Sequence, residues 1–408
     1  MRFVKTEDLK AGMRLAKPIY NKDGVLLYER NSQLSTNGIS SVKNFGLIGI
    51  YILEPAEPVP PLTEEDLEFE QLQTVYMFKL KECMDLIQKR QKLDPLYPFL
   101  QDIIKHYGSL DHRVNFNQNL RSGEDFMYKH AISTAILLAM MTSHIKFSPR
   151  KQMVVITAAL LHTFGYIYVP KHILEKGPAI TQDDQEVIWH ALQRGLDRLS
   201  MYTNSYDFFP RAYALMQTFI HMDNPESHIA APDPDLGVMV NMLKVAVRFD
   251  QLTAMSVGYE PVSEIMAMRD LMGAPDVYHP NNVTALAECI HIVPRAASVD
   301  LSSGDKGIIL VENTSDFMRP VVLRLSDNQI FDLSNNAVYK EIQIVDIMKT
   351  MDNRIDVDED TLKQFVPDAE LSKMASRFRA NLKRIHEREE REEWERRVGE
   401  KNNYDARA

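Results

Sequence analysis

Two histidines and an aspartate stand in stretches where charge has no easy place. His130 lies in FMYKHAISTAILLAMMTSHI, His162 closes PRKQMVVITAALLH, and Asp250 lies in DLGVMVNMLKVAVRFDQLTAM, all strongly apolar. An ionisable group on a buried helical face needs a partner, because leaving it unpaired away from water is costly. Imidazole nitrogens and carboxylate oxygens are ligands of hydrolytic Mn, Fe, Zn, Ni or Mg centres, in which the ion lowers the pKa of bound water and generates hydroxide. Taken singly, each histidine reads as a hydrogen-bonded core residue rather than a ligand. Together they point to a shared site.

The elements that must position these residues are helices. The stretch around His130 is too apolar for a surface helix and should be buried on most sides. Pro149 opens the next one in the N-terminal position that proline favours. This expected helical core spans residues 111–287.

Ahead of it, residues 1–56 read as a small β-rich module, with short apolar runs (MRLAKPIY, GVLLY, GLIGIYIL) and a hairpin turn at Asp23-Gly24. Residues 57–110 read as linker and connector helices: Pro55, Pro58, Pro60 and Pro61 precede a run of acids. An apolar stripe follows through Leu72, Val75, Tyr76, Leu80, Met84 and Ile87. Behind the core, residues 288–350 read as a small β extension with Gly304 in a turn. Residues 351–408 read as a charged helical tail whose HEREEREEWERR can pair charges at i, i+4. The fold class expected is mainly α, a helical bundle with a small N-terminal β module and a small C-terminal β extension.

The order of the polar residues carries a family resemblance. YKHAISTAILL resembles the first ligand helix of the HD-superfamily phosphohydrolases, and LLHTFGYIYVPKHILEKGPAIT resembles their segment built on His-Asp-x-Gly-Lys. TQDDQEVIWHALQRGLDRL resembles the next element, with His190 five residues before Gly195 where the family has a histidine four before. FIHMDN resembles the paired-histidine start of the HD-GYP motif, His221 matching the first member and Met222 the second. KVAVRFDQLTAM resembles the late helix. LKAGMRLAKPIYNKDGVLLY and the region with VDLSSGDKGIILVEN resemble the β modules that flank HD-GYP cores.

The resemblance implies an HD-type bundle and cyclic di-GMP phosphodiesterase chemistry, with His130, His162 and His221 as candidate metal ligands. Asp250 and His190 are further candidates, each conditional on local geometry. It also implies losses. Thr163 stands for the bridging aspartate, Tyr166 for the phosphate-contacting lysine and Val247 for the late-helix ligand. Gly-Tyr-Pro itself is absent from MDNPESHIAAPDPDLG, where His228 reads as a loop histidine. Without the bridging carboxylate two divalent ions would repel with little neutralisation, so the expectation is one divalent ion (Mn, Fe, Zn, Ni or Mg) or none.

The remaining composition bounds the partners. A net charge of −10 argues against a nucleic-acid polymer as partner. Cys83 and Cys289 are too few and too far apart for a disulfide framework or thiolate zinc site. The start MRFVKTEDLKAG lacks the apolar core of a signal peptide, and no apolar run reaches the ~20 residues of a membrane span, so a cytoplasmic protein is expected. Three functions follow from the residues and the resemblance. One is a degenerate HD-GYP protein that binds a cyclic dinucleotide, or a protein partner through its N-terminal module or C-terminal helix, with weak or no hydrolysis. Another is a metal-dependent phosphohydrolase with a single surviving ion. The last is a structural scaffold.

Overall fold

The computed structural model describes residues 2–347 except 45–48, 54–62, 117–120, 122–124, 175, 177–178, 223–231, 255–260 and 314. His228 and the charged tail 351–408 therefore lie outside the described residues. The architecture is mainly helical with small antiparallel sheets. Its contacts divide the described residues into one unit that runs to Ile292 and a second from Val293 to Asp346.

The first unit begins with strands β1 (Arg2–Lys5), β2 (Arg14–Leu15), β3 (Ile19–Tyr20) and β4 (Leu26–Tyr28), helix α1 (Thr36–Asn44) and strand β5 (Gly49–Leu53). β5 lies between β1 and β2, while β3 and β4 pair separately. Leu15, Leu34, Val42 and Ile52 fill the space between them. The hairpin turns at the expected place: Gly24 sits at φ +78°, which a side chain would resist, and Asn21 Oδ1 accepts from the backbone of Asp23 and Val25 at 2.9 Å.

Helix α2 (Glu64–Gln88) starts at a capping box between Thr63 and Asp66. Read from sequence as a connector, it packs against the bundle. Tyr76, Leu80, Met84 and Ile87 are buried, and α2 packs against the long central helix. Its other side holds the β module, where Gln71 Nε2 donates to the Gly24 carbonyl at 2.6 Å and Glu70 pairs with Lys17. An apolar stripe that finds partners on both neighbours has no reason to stand as a free spacer.

The bundle continues with α3 (Leu96–Tyr107), α4 (Phe126–His144), α5 (Pro149–Leu161), α6 (Lys171–Leu174), α7 (Gln182–Leu199), α8 (Phe209–His221), α9 (Pro234–Thr253), α10 (Glu264–Gly273) and α11 (Pro280–Cys289). α4 is its axis and touches α2, α3, α5, α9 and α11. Buried side chains run from His130 through Thr142 without a break, as its all-round apolarity requires. Each fully buried Leu or Ile here contributes about 1.5–3 kcal/mol of transfer free energy. Ser148 caps α5 by accepting from Lys151 N, with Pro149 in the first turn, and Asp233 and Pro234 do the same for α9.

The second unit carries a small sheet. Strands β6 (Ser298–Leu301), β7 (Lys306–Val311), β8 (Val321–Arg324), β9 (Ile330–Asp332) and β10 (Ile344–Ile347) form one sheet in the order β10-β6-β7-β8-β9. Gly304 turns β6 into β7 at φ +84°. A short helix α12 (Asn336–Glu341), capped by Asn335, precedes β10; the strand pattern of the sequence did not signal it.

Candidate functional site

Asp250 is carried by α9 into the middle of the bundle, where it is 0% exposed. Arg121, itself buried, grips it as a fork: Nη1 donates to Oδ2 at 2.6 Å and Nη2 to Oδ1 at 2.5 Å. Nη2 also reaches Ser133 Oγ at 3.3 Å, on the first turn of α4 beyond His130. His130 Nδ1 closes on Asp250 Oδ2 from the other side. Burial alone drives the Asp250 carboxyl upward in pKa, but the Arg121 guanidinium and His130 outweigh it and hold the group well below the usual carboxylate range.

His162 caps the end of α5 and meets His130 edge to face, with ring centroids 5.3 Å apart. Phe219 of α8 lies against it at 5.6 Å. His162 Nδ1 donates to the Ala159 carbonyl at 2.8 Å, so Nε2 carries the lone pair, and that buried atom has no hydrogen-bond partner. Burial, then the neighbouring His130, pushes its pKa down to about 3, leaving a neutral imidazole. Thr163 beside it is fully buried with Oγ1 likewise unpartnered.

A close approach of backbones fixes this corner. Gly165, in the 3-10 helix Phe164–Tyr168, lies against α7, where a Cβ on it would sit 2.4 Å from Leu192 Cα; a Cβ on Gly195 would sit 2.6 Å from Gly165 Cα. Tyr166 packs edge-on to Phe126 at 5.1 Å, and burial raises its phenol pKa, so it brings no charge of its own.

The other expected residues fall elsewhere. His190 is exposed on α7, and the position four before Gly195, Ala191, is the buried one, packed with Val169 and Ile173. The one-residue shift turned the histidine outward by about 100°. His221, at the end of α8, meets Trp189 edge to face at 5.7 Å; His221 Nε2 and Trp189 Nε1 are both buried without a hydrogen-bond partner. Burial lowers the His221 pKa. Met222 is exposed, and Val247 is an aliphatic wall residue of α9.

A divalent ion does not fit this arrangement as it stands. Both Asp250 oxygens face Arg121 nitrogens, His130 Nδ1 is spent on Oδ2, and Thr163 and Val247 supply no charge. An incoming ion would add its charge beside a guanidinium in a medium that screens poorly. Among the described residues no three His, Cys, Asp or Glu side chains are disposed to hold an ion together. The expectation that His130, His162 and Asp250 meet is met in part: two of them bond directly and the third is in ring contact, but the cation among them is an arginine.

Arg121, Ser133, Phe219 and Trp189 were not picked out from the sequence. Arg121 stands in the polar run NQNLRSGED, which has no apolar periodicity. The available signal was Asp250 itself, since a carboxylate on an apolar helix demands a cation from somewhere. No helix among the described residues is long and apolar enough to cross a membrane. Comparison with known proteins returned no match to a family model, a curated protein or a solved structure.

Proposed function

We propose that this chain is a catalytically degenerate protein of the HD-GYP type that binds a cyclic dinucleotide without efficiently hydrolysing it. The observation that carries the reading is the Arg121–Asp250–His130 cluster, in which the carboxylate and the imidazole that a hydrolytic centre needs open are bonded to each other and to a guanidinium. The neighbouring His162, the neutral Thr163 and Tyr166, and the aliphatic Val247 agree with a helical core that kept an HD-like placement of histidines while losing the charge needed to activate water.

Without a bound hydroxide, attack on a phosphodiester would need another nucleophile, and none of the imidazoles in this cluster is hydrogen-bonded to a hydroxyl or thiol among the described residues. Recognition of a nucleotide needs no such group. Equilibrium binding and turnover of cyclic di-GMP and of linear pGpG, with protein pre-incubated in Mn²⁺, separate the two. Saturable binding of one of them with no turnover is expected. Turnover that disappears in His162→Ala would overturn the reading, and failure to bind either nucleotide would move the function to protein partners.

A further inference from the structure

His190, Arg194 and Arg198 recur at every fourth position along α7, so they share one side of the helix. The 3-10 helix Phe164–Tyr168 packs along α7, and there the Arg194 guanidinium lies over the Tyr168 ring, 4.3 Å from its centre. Two polar atoms at this place have nothing to bond. Tyr168 Oη and Arg198 Nη1 are both buried without a hydrogen-bond partner.

Neither arginine pairs with a carboxylate among the described residues. Asp197, the acid next to Arg198 in the chain, accepts instead from Gln193 Nε2 at 3.1 Å. The chain has 57 acidic residues against 47 basic ones, and Arg121, Arg211, Arg248 and Arg324 each take a carboxylate. A buried guanidinium nitrogen left open in so acidic a chain calls for an acceptor from outside it. The open groups also share one sense. A guanidinium only donates, and the Tyr168 hydroxyl has no acceptor for its proton. Donors carrying two permanent positive charges suit an oxyanion. A phosphate group, with three or four oxygens to a carboxylate's two, can answer two planar forks and a hydroxyl together.

We propose that Tyr168, Arg194 and Arg198 form a phosphate-binding site where α7 meets the 3-10 helix. The site uses none of the residues on which the proposed function rests, so it goes beyond that reading, and either can fail with the other intact. The net charge of −10 works against non-specific uptake of anions, so saturable binding reports a site.

The test is calorimetric titration of pyrophosphate into the full chain in EDTA, which removes uptake bridged by metal. Saturable single-site binding is expected, with acetate a poor competitor. Arg194→Met and Arg198→Met should each weaken it at least about 10-fold, and Tyr168→Phe by about 3–10-fold. Arg194→Lys, which keeps the charge and loses the fork, should recover part of the loss. Displacement of pyrophosphate by cyclic di-GMP would assign the phosphate to a dinucleotide, and its retention to a separate phosphate compound; the site stands in both cases. Arg194 is exposed and Tyr168→Phe removes a single oxygen, so these two variants carry the test if Arg198→Met does not fold. No saturable uptake by wild type, or uptake that Arg194→Met and Tyr168→Phe both leave unchanged, would overturn the proposal.

Discussion

Two regions of the helical unit are built from similar residues and are finished differently. Around Asp250 a buried charge is fully answered, by the Arg121 fork on both oxygens and by His130. Around Trp189 and His221, as at His162 Nε2, neutral nitrogens are buried with no partner. The difference follows from cost. An unpaired neutral donor or acceptor forfeits about 1–3 kcal/mol, which packing can absorb, whereas breaking a buried ion pair costs about 3–5 kcal/mol. The chain paired its charge and left its neutral groups to the packing around them.

The sharpest way to break that contrast is to remove the cation. Arg121→Met should destabilise the unit by about 3–5 kcal/mol in urea unfolding, because the buried Asp250 carboxylate loses the guanidinium that meets both of its oxygens. A loss below 1 kcal/mol would mean Asp250 is not charged in the native state. The close backbone contact comes next: Gly165→Ala or Gly195→Ala should cost about 1–3 kcal/mol, since the new Cβ meets backbone that cannot swing away.

Acid separates the two regions by a slope. His162 is held neutral with a pKa pushed down to about 3, below the ~6.5 of an unfolded histidine, so the unfolded chain binds the extra proton first. Its contribution is complete above about pH 6.5 and is lost as pH falls toward 3, at about 1.4 kcal/mol per pH unit from this group. His162→Phe should flatten the curve in that window, which unfolding at several pH values reads directly. The smallest effect is expected at His221→Phe, which deletes an unpartnered nitrogen. It should shift stability by less than about 1 kcal/mol in either direction.

The sequence made the helices legible and their partners much less so. The apolarity of the stretch around His130 is a property of one segment, and α4 is buried as that property requires. Gly24 and Gly304 turn where local turn chemistry placed them. The role of α2 was not readable because it depends on what lies on both of its faces. At the site, His130, His162 and Asp250 stood out as ionisable groups in apolar company. Arg121, separated from Asp250 by 129 positions, did not, since one arginine in a polar stretch of sequence has no periodicity to betray its burial. His190, a candidate only if local geometry offset its one-residue shift, is exposed on α7, as a shift of one position on a helix turns a side chain away.

The central claim, that Arg121 and Asp250 neutralise each other inside the bundle, is tested most directly by a double-mutant cycle of Arg121→Met and Asp250→Asn in urea unfolding. The account predicts that each single change is strongly destabilising and that the double variant recovers much of the loss, a coupling of about 2–3 kcal/mol or more. Additivity of the two single effects to within about 0.5 kcal/mol would contradict it.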